Sequence, residues 1–134
     1  MSTFDEVLFK RSLSPAARTD GTASGVAVDR MANGGMQDAI VVVSTGTVTD
    51  GSHAVAVQDS ADGSTDWQAV AAAQLTSAAP TLVAASDDTV FEVGVRASRR
   101  FLRVVVVSTG STTGGIFSAA VALGRPRFAP VSRA

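Results

Sequence analysis

The segment Val41 to Gly51 reads VVVSTGTVTDG and Val105 to Gly115 reads VVVSTGSTTGG, so eight of eleven aligned positions are identical. Each copy is a β-branched run that feeds a Thr/Gly-rich turn and then a second apolar stretch, the pattern of a β-hairpin. Val, Ile and Thr are stiff at χ1 and pack well on a pleated surface. A chain whose most regular sequence is two such ribbons is expected to build a sheet framework.

Further strand signals surround the two copies. Val26 and Val28 alternate with Ala27 and Asp29 before an Asn33-Gly34-Gly35 turn. Ala39 to Val48 reads as a long strand, Asp50-Gly51 as its tight turn, and Ser52 to Gln58 as the return, with His53, Val55 and Val57 on one face. Asp62-Gly63 marks a second turn, and Trp67 is expected to begin the next strand. AVAAAQL suits a helical turn on propensity alone, yet its length and Pro80 favour strand, loop, then strand at Thr81 to Ala84. Phe91, Val93 and Val95 alternate with polar or small residues. Phe101 to Ser108 reads as a central strand, and Ile116 to Leu123 completes the second ribbon before Gly124-Arg125-Pro126 ends the sheet.

About eight strands at short, regular spacing predict an all-β, antiparallel β-sandwich or jelly roll. The sandwich is expected over residues 25–124, with an extended N-terminal arm at 1–24 and a C-terminal tail at 125–134. The first arm, without steady periodicity, is read either as ordered on a neighbour or as folded along its own domain. Trimming either arm is expected to leave the fold intact.

A length of 134 residues, 46% hydrophobic content and a net charge of -1 describe one ordered domain rather than a disordered chain. No apolar run approaches the roughly 20 residues of a membrane-spanning helix, and the opening MSTFDEVLFKR lacks the order of a secretory signal. Without cysteine there are no disulfides and no thiolate metal sites. Ten Arg against the single Lys10 favour an assembly component, because the guanidinium fork suits protein interfaces.

No catalytic constellation emerges, and the chain is not expected to be an enzyme. His53, the sole histidine, lies mid-strand with no nucleophile elbow, and reads as a surface or half-buried strand residue. The acids cluster at turns, where Asp serves backbone hydrogen bonding. Asp59, Asp62 and Asp66 bracket one loop but miss the EF-hand spacing, since Gln58 and Ser60 fall at ligand positions. No metal or cofactor is expected. The glycines of 109–115 lack the Lys and helix of a phosphate loop. Arg96, Arg99, Arg100 and Arg103 form the strongest basic cluster, but with Phe101 alone as a stacking platform they suit a protein partner or solvent better than nucleic acid.

The pattern from Gln58 through Asp62-Gly63 to Trp67 and Val70 resembles a hairpin of discoidin-type carbohydrate-binding sandwiches, in which the Trp packs under the turn. Over residues 38–131 the chain more broadly resembles small structural proteins of tailed bacteriophages, especially head decoration or cement proteins. The resemblance rests on GTVTDG (Gly46 to Gly51), QDSADGSTDW (Gln58 to Trp67), SRRFLRVVV (Ser98 to Val106), STTGG (Ser111 to Gly115) and LGRPRFAPV (Leu123 to Val131). It implies a virion protein, made in the host cytoplasm, that binds the capsid exterior and clamps neighbouring major capsid subunits as a homo-oligomer, with a trimer as the family expectation. Arg125, Arg127 and Phe128 are the expected contact residues, with Arg99 and Arg100 second. A carbohydrate-binding module and a tail or head-tail connector subunit are the alternatives.

Overall fold

The structure, a computed structural model, describes residues 2–96 and 99–133. Its organising rule is that the first half of the chain pairs with the second. Leu8–Arg18 (β1) lies antiparallel to Gly115–Pro126 (β10), and both Gly21–Ser24 (β2) and Val28–Asp29 (β3) lie against Phe101–Thr109 (β9). Met36–Val48 (β4) pairs with Val90–Val95 (β8), and Ser52–Ser60 (β5) with the short Gln68–Ala69 (β6) and Thr81–Leu82 (β7). This long folded ribbon is rolled up, so that β10 also meets β4 and β9 also meets β5. One sheet then runs β1-β10-β4-β8, and the other has β9 and β5 at its centre. That is jelly-roll connectivity, as expected, with ten strand segments among the described residues because two rows are each split in two.

The inner faces meet in one apolar core. Val41, Val43, Val93, Val95, Phe117, Val121 and Leu123 come from the first sheet, and Val55, Val57, Leu82, Leu102, Val104 and Val106 from the second. Valine fills a thin sandwich well because its branched side chain stands off the pleat with little rotamer freedom to lose.

The matched segments do not form hairpins. Each crosses from one sheet to the other, since β4 and β9 are followed by strands of the opposite sheet. Nor are the copies equivalent. Val41 and Val43 face the core while the aligned Val105 and Val107 face outward, with Val104 and Val106 inward instead. Three consecutive valines suit either facing, so identical letters serve opposite parities. The two crossings are tied by Asp50, whose carboxylate accepts the amide protons of Thr112, Thr113 and Gly114. Gly114 is required there: its φ is +82°, and a Cβ would overlap the Arg18 carbonyl.

The segment expected as an N-terminal arm folds along its own domain. It supplies α1 (Thr3–Glu6), β1 and β2, and Leu8 and Leu13 join the core. Register shifts between Arg11 and Leu13, and again between Leu13 and Ala16, break the period-two alternation and hide the strand. Ser12, turned inward by the first shift, bridges the sheets. Its hydroxyl receives the Val104 amide proton and donates to the Val26 carbonyl, filling the gap between β2 and β3. Sheet pairing also continues past the expected end, because Pro126 still stands opposite Met36 as the last rung. Truncation of 1–24 would therefore remove an edge strand and part of the core, contrary to the expectation of an intact fold.

Other boundaries shift slightly. Trp67 precedes β6, and AVAAAQL contains a single 3-10 turn, Ala72–Gln74. Ser98, expected in the link before β9, lies outside the described residues, as do Met1 and Ala134 of the expected arms.

Replacing Ser12 with Ala should cost about 1–3 kcal/mol in denaturant unfolding, because the buried Val104 amide loses its acceptor. For Asp50, the loop amides hold the carboxyl below its usual range, Gly114 first. Its stabilisation is present above the unfolded carboxylate value of about 3.9 and fades as pH falls through the lower folded value. Asp50→Asn should therefore flatten the acid limb of a thermal-melt-versus-pH curve.

Candidate contact surface at the tail end of the sandwich

After the last rung of β10 the chain does not leave the body. Arg125 adopts a positive φ of 51° and redirects the chain along the Asn33-Gly34-Gly35 turn. The Arg127 and Phe128 amides donate to the Gly35 and Gly34 carbonyls, at 3.0 Å each. Asn33 and Ser132 exchange a further pair of bonds, and the Val131 amide donates to the Asp5 carbonyl. Val131 plugs into the core. Arg133 lies 3.7 Å over the Phe4 ring and donates to the carbonyls of Phe4 and Val7.

This stapled tail fixes Phe128 with 77% of its surface exposed. Arg127 stands beside it, exposed, with its stem against Gly35. Arg125 is also exposed and reaches Asp38 only at 3.8 Å. The three residues expected as contacts are thus adjacent in the chain, held on a rigid scaffold and directed outward. Phe4 and Phe9 border an apolar hollow at the same end, closed on one side by Arg133.

Arg99 and Arg100 are engaged within the molecule. Arg100 makes a two-pronged bond to Asp29, at 2.8 Å on each oxygen, and holds that carboxyl below its ordinary value. Arg99 donates to the Asp66 carbonyl and carboxylate and lies 3.8 Å from the buried Asp59. The first pair ties the start of β9 to β3, and the second ties it to the loop after β5.

Arg30 was not singled out by its sequence context, yet it organises this end. Its buried guanidinium donates to the Arg99 carbonyl through two nitrogens and to the Met36 carbonyl through a third. An Arg beside a strand end carries no local signal of such burial; only the approach of residues 99–100 creates it.

The remaining candidates are structural. His53 is fully enclosed rather than half-buried, with Nδ1 2.6 Å from the Ser108 hydroxyl and Nε2 3.1 Å from the Asp50 carbonyl. The Asp50 carboxylate is turned to the 112–114 amides, so Ser108, His53 and Asp50 do not form a relay. Asp62 is saturated by its own loop, accepting from the Ser60 and Thr65 hydroxyls and the Ser64 and Thr65 amides, which hold its carboxyl far below the usual range. Trp67 does not pack under the turn as a core residue. It is half-exposed, with the Arg103 guanidinium 4.3 Å over its ring.

Among solved structures, the chain is similar to PBSX exported protein XepA, with a TM-score of 0.63 and 15% identity over 92% of this chain. This chain spans only 39% of XepA's length. A likeness at that identity is one of fold. A glycoside hydrolase family 43 arabinoxylan arabinofuranohydrolase from Bacillus subtilis aligns over 90% of this chain and 24% of its own, at 21% identity and a TM-score of 0.35. No family model matches the chain, and no curated protein matches it in sequence.

Arg30→Leu should destabilise the protein by about 2 kcal/mol, since two carbonyls lose charge-assisted donors. Hydrogen exchange should quicken in residues 30–36 and 99–101 before it does so in the core strands.

Proposed function

We propose that this protein is a non-catalytic structural component of a tailed-phage virion. In this reading it decorates the outside of the assembled head and clamps neighbouring major capsid subunits through its tail end. The observation that carries the reading is the Arg125–Phe128 segment. A large aromatic side chain stands exposed next to Arg127 on a backbone already fixed by hydrogen bonds to the Gly34-Gly35 turn. Aromatic and Arg side chains are the usual anchors of protein interfaces, and holding them rigid lowers the entropy lost on docking.

The likeness to PBSX exported protein XepA is one of fold and fits the sandwich architecture that this reading requires. Binding only the assembled lattice would stabilise it by mass action. No long arm has to be ordered on docking, because the N-terminal segment and the tail are already folded onto the sandwich. The protein would act after synthesis in the host cytoplasm, as a rigid body on the head exterior, with no cofactor required. A homo-oligomer, with the trimer implied by the resemblance, fits such a lattice.

The test is to mix the purified protein with heads that lack it and image them by electron microscopy. Wild-type protein should add regular outer density and raise the temperature at which the heads break open. Phe128→Ala and Arg127→Glu should each weaken attachment roughly tenfold or more while leaving circular dichroism unchanged. Equal decoration by both variants, or none by wild type, overturns the reading. Glycan binding lost on Trp67→Ala would favour the carbohydrate-binding alternative, and rings or tubes of the purified protein would favour the connector.

A further inference from the structure

Over two successive rows the outer face of the β1-β10-β4-β8 sheet carries charge only at its edges, beside a row that holds Asp38 opposite Gly124. Side chains directly opposite one another on paired strands share a face, so the register lines up its outward residues in rows. One row reads Phe9, Ala122, Ile40, Gly94, and the next Arg11, Ala120, Val42, Glu92. Phe9 is 64% exposed and Ile40 41%. The two charges of these rows, Arg11 and Glu92, sit at opposite edges of one row.

We infer that this face pairs with the same face of a second copy, about a two-fold axis that runs along the strands between β10 and β4. Such a rotation exchanges β1 with β8 and β10 with β4. It sets Ile40 of one copy against Ala122 of the other and Val42 against Ala120, while Phe9 meets the edge where the Thr76 side chain lies against Gly94. In the two central pairs a larger side chain meets a smaller one, as interdigitated sheets packed about 10 Å apart require. The same operation places Arg11 opposite Glu92 at both edges, so each copy supplies the charge its partner lacks. A random apolar face would not give size and charge complementarity under a single symmetry operation. This self-matching selects a second copy as the occupant.

The four strands span a face of roughly 600–700 Å², near the ~800 Å² each partner buries in a standard interface. The interface is isologous, so the pair closes on itself. The face adjoins the tail end, where Arg125 lines one hollow with Ile40 and Ala122, but the two readings have separate tests, and a dimer would stand in place of the trimer that the resemblance implies.

Sedimentation velocity on the full chain, from micromolar to millimolar concentration, tests the pairing. Wild type should dimerise. Arg11→Glu and Glu92→Arg should each weaken the dimer roughly tenfold or more, since each places like charges together at both edges. Mixing the two variants should restore pairing, because the mixed pair has opposite charges at each edge, and the double variant Arg11→Glu/Glu92→Arg should dimerise like wild type. Both positions are exposed, so unchanged circular dichroism is the control for folding. A monomeric wild type, single reversals that still dimerise, or a mixture that stays monomeric would overturn the inference.

Discussion

The ladder between β4 and β10 is the contact on which the other features rest. It joins the middle of the chain to its end, running from Val48 opposite Gly115 to Met36 opposite Pro126. Its inward residues, including Val41, Val43, Ala119 and Val121, form the floor of the core. Its register brings Pro126 beside the start of β4, and so lays Arg127 and Phe128 along the Gly34-Gly35 turn. The same ladder places Ala122 beside Ile40 and Ala120 beside Val42 on the outer face. One pairing thus sets the core, the candidate contact end and the candidate self-association face.

Because that pairing is non-local, the polar groups at its margins need specific partners. Ser12 bonds the Val104 amide where the edge row of the second sheet is interrupted. Asp50 ties one inter-sheet crossing to the other through three amides. Arg30 satisfies carbonyls where the loops converge at the tail end. Each replaces a ladder bond that the rolled sheet cannot make, and none of the buried side-chain polar atoms among the described residues is left unpaired. These residues make the sandwich rigid enough to present exposed side chains at fixed positions.

The candidate surface was partly legible. Arg127 and Phe128 follow a strand and a proline and Arg125 stands just before that proline, so their exposure could be anticipated. Arg99 and Arg100 read alike as free cations, but their carboxylate partners Asp29, Asp59 and Asp66 come from a different part of the chain. Trp67 gave no hint of the guanidinium over its ring, since Arg103 lies on another strand. His53 was placed on the correct face with Val55 and Val57, yet its full enclosure depends on Phe117 and Ser108 from the far half of the chain.

By itself, the order of residues determined that this protein is all-β, and approximately where its longer strands lie, because β-branched runs, alternation and turn residues act over a few positions. Tertiary structure alone decided which strands pair, that the repeated segments cross between sheets instead of folding back, and that the opening residues form an edge strand. Those outcomes are set by inter-sheet spacing and by bulges that shift facing. Three valines in a row are equally content on either parity, so only the partner strand could choose which of them the core would take.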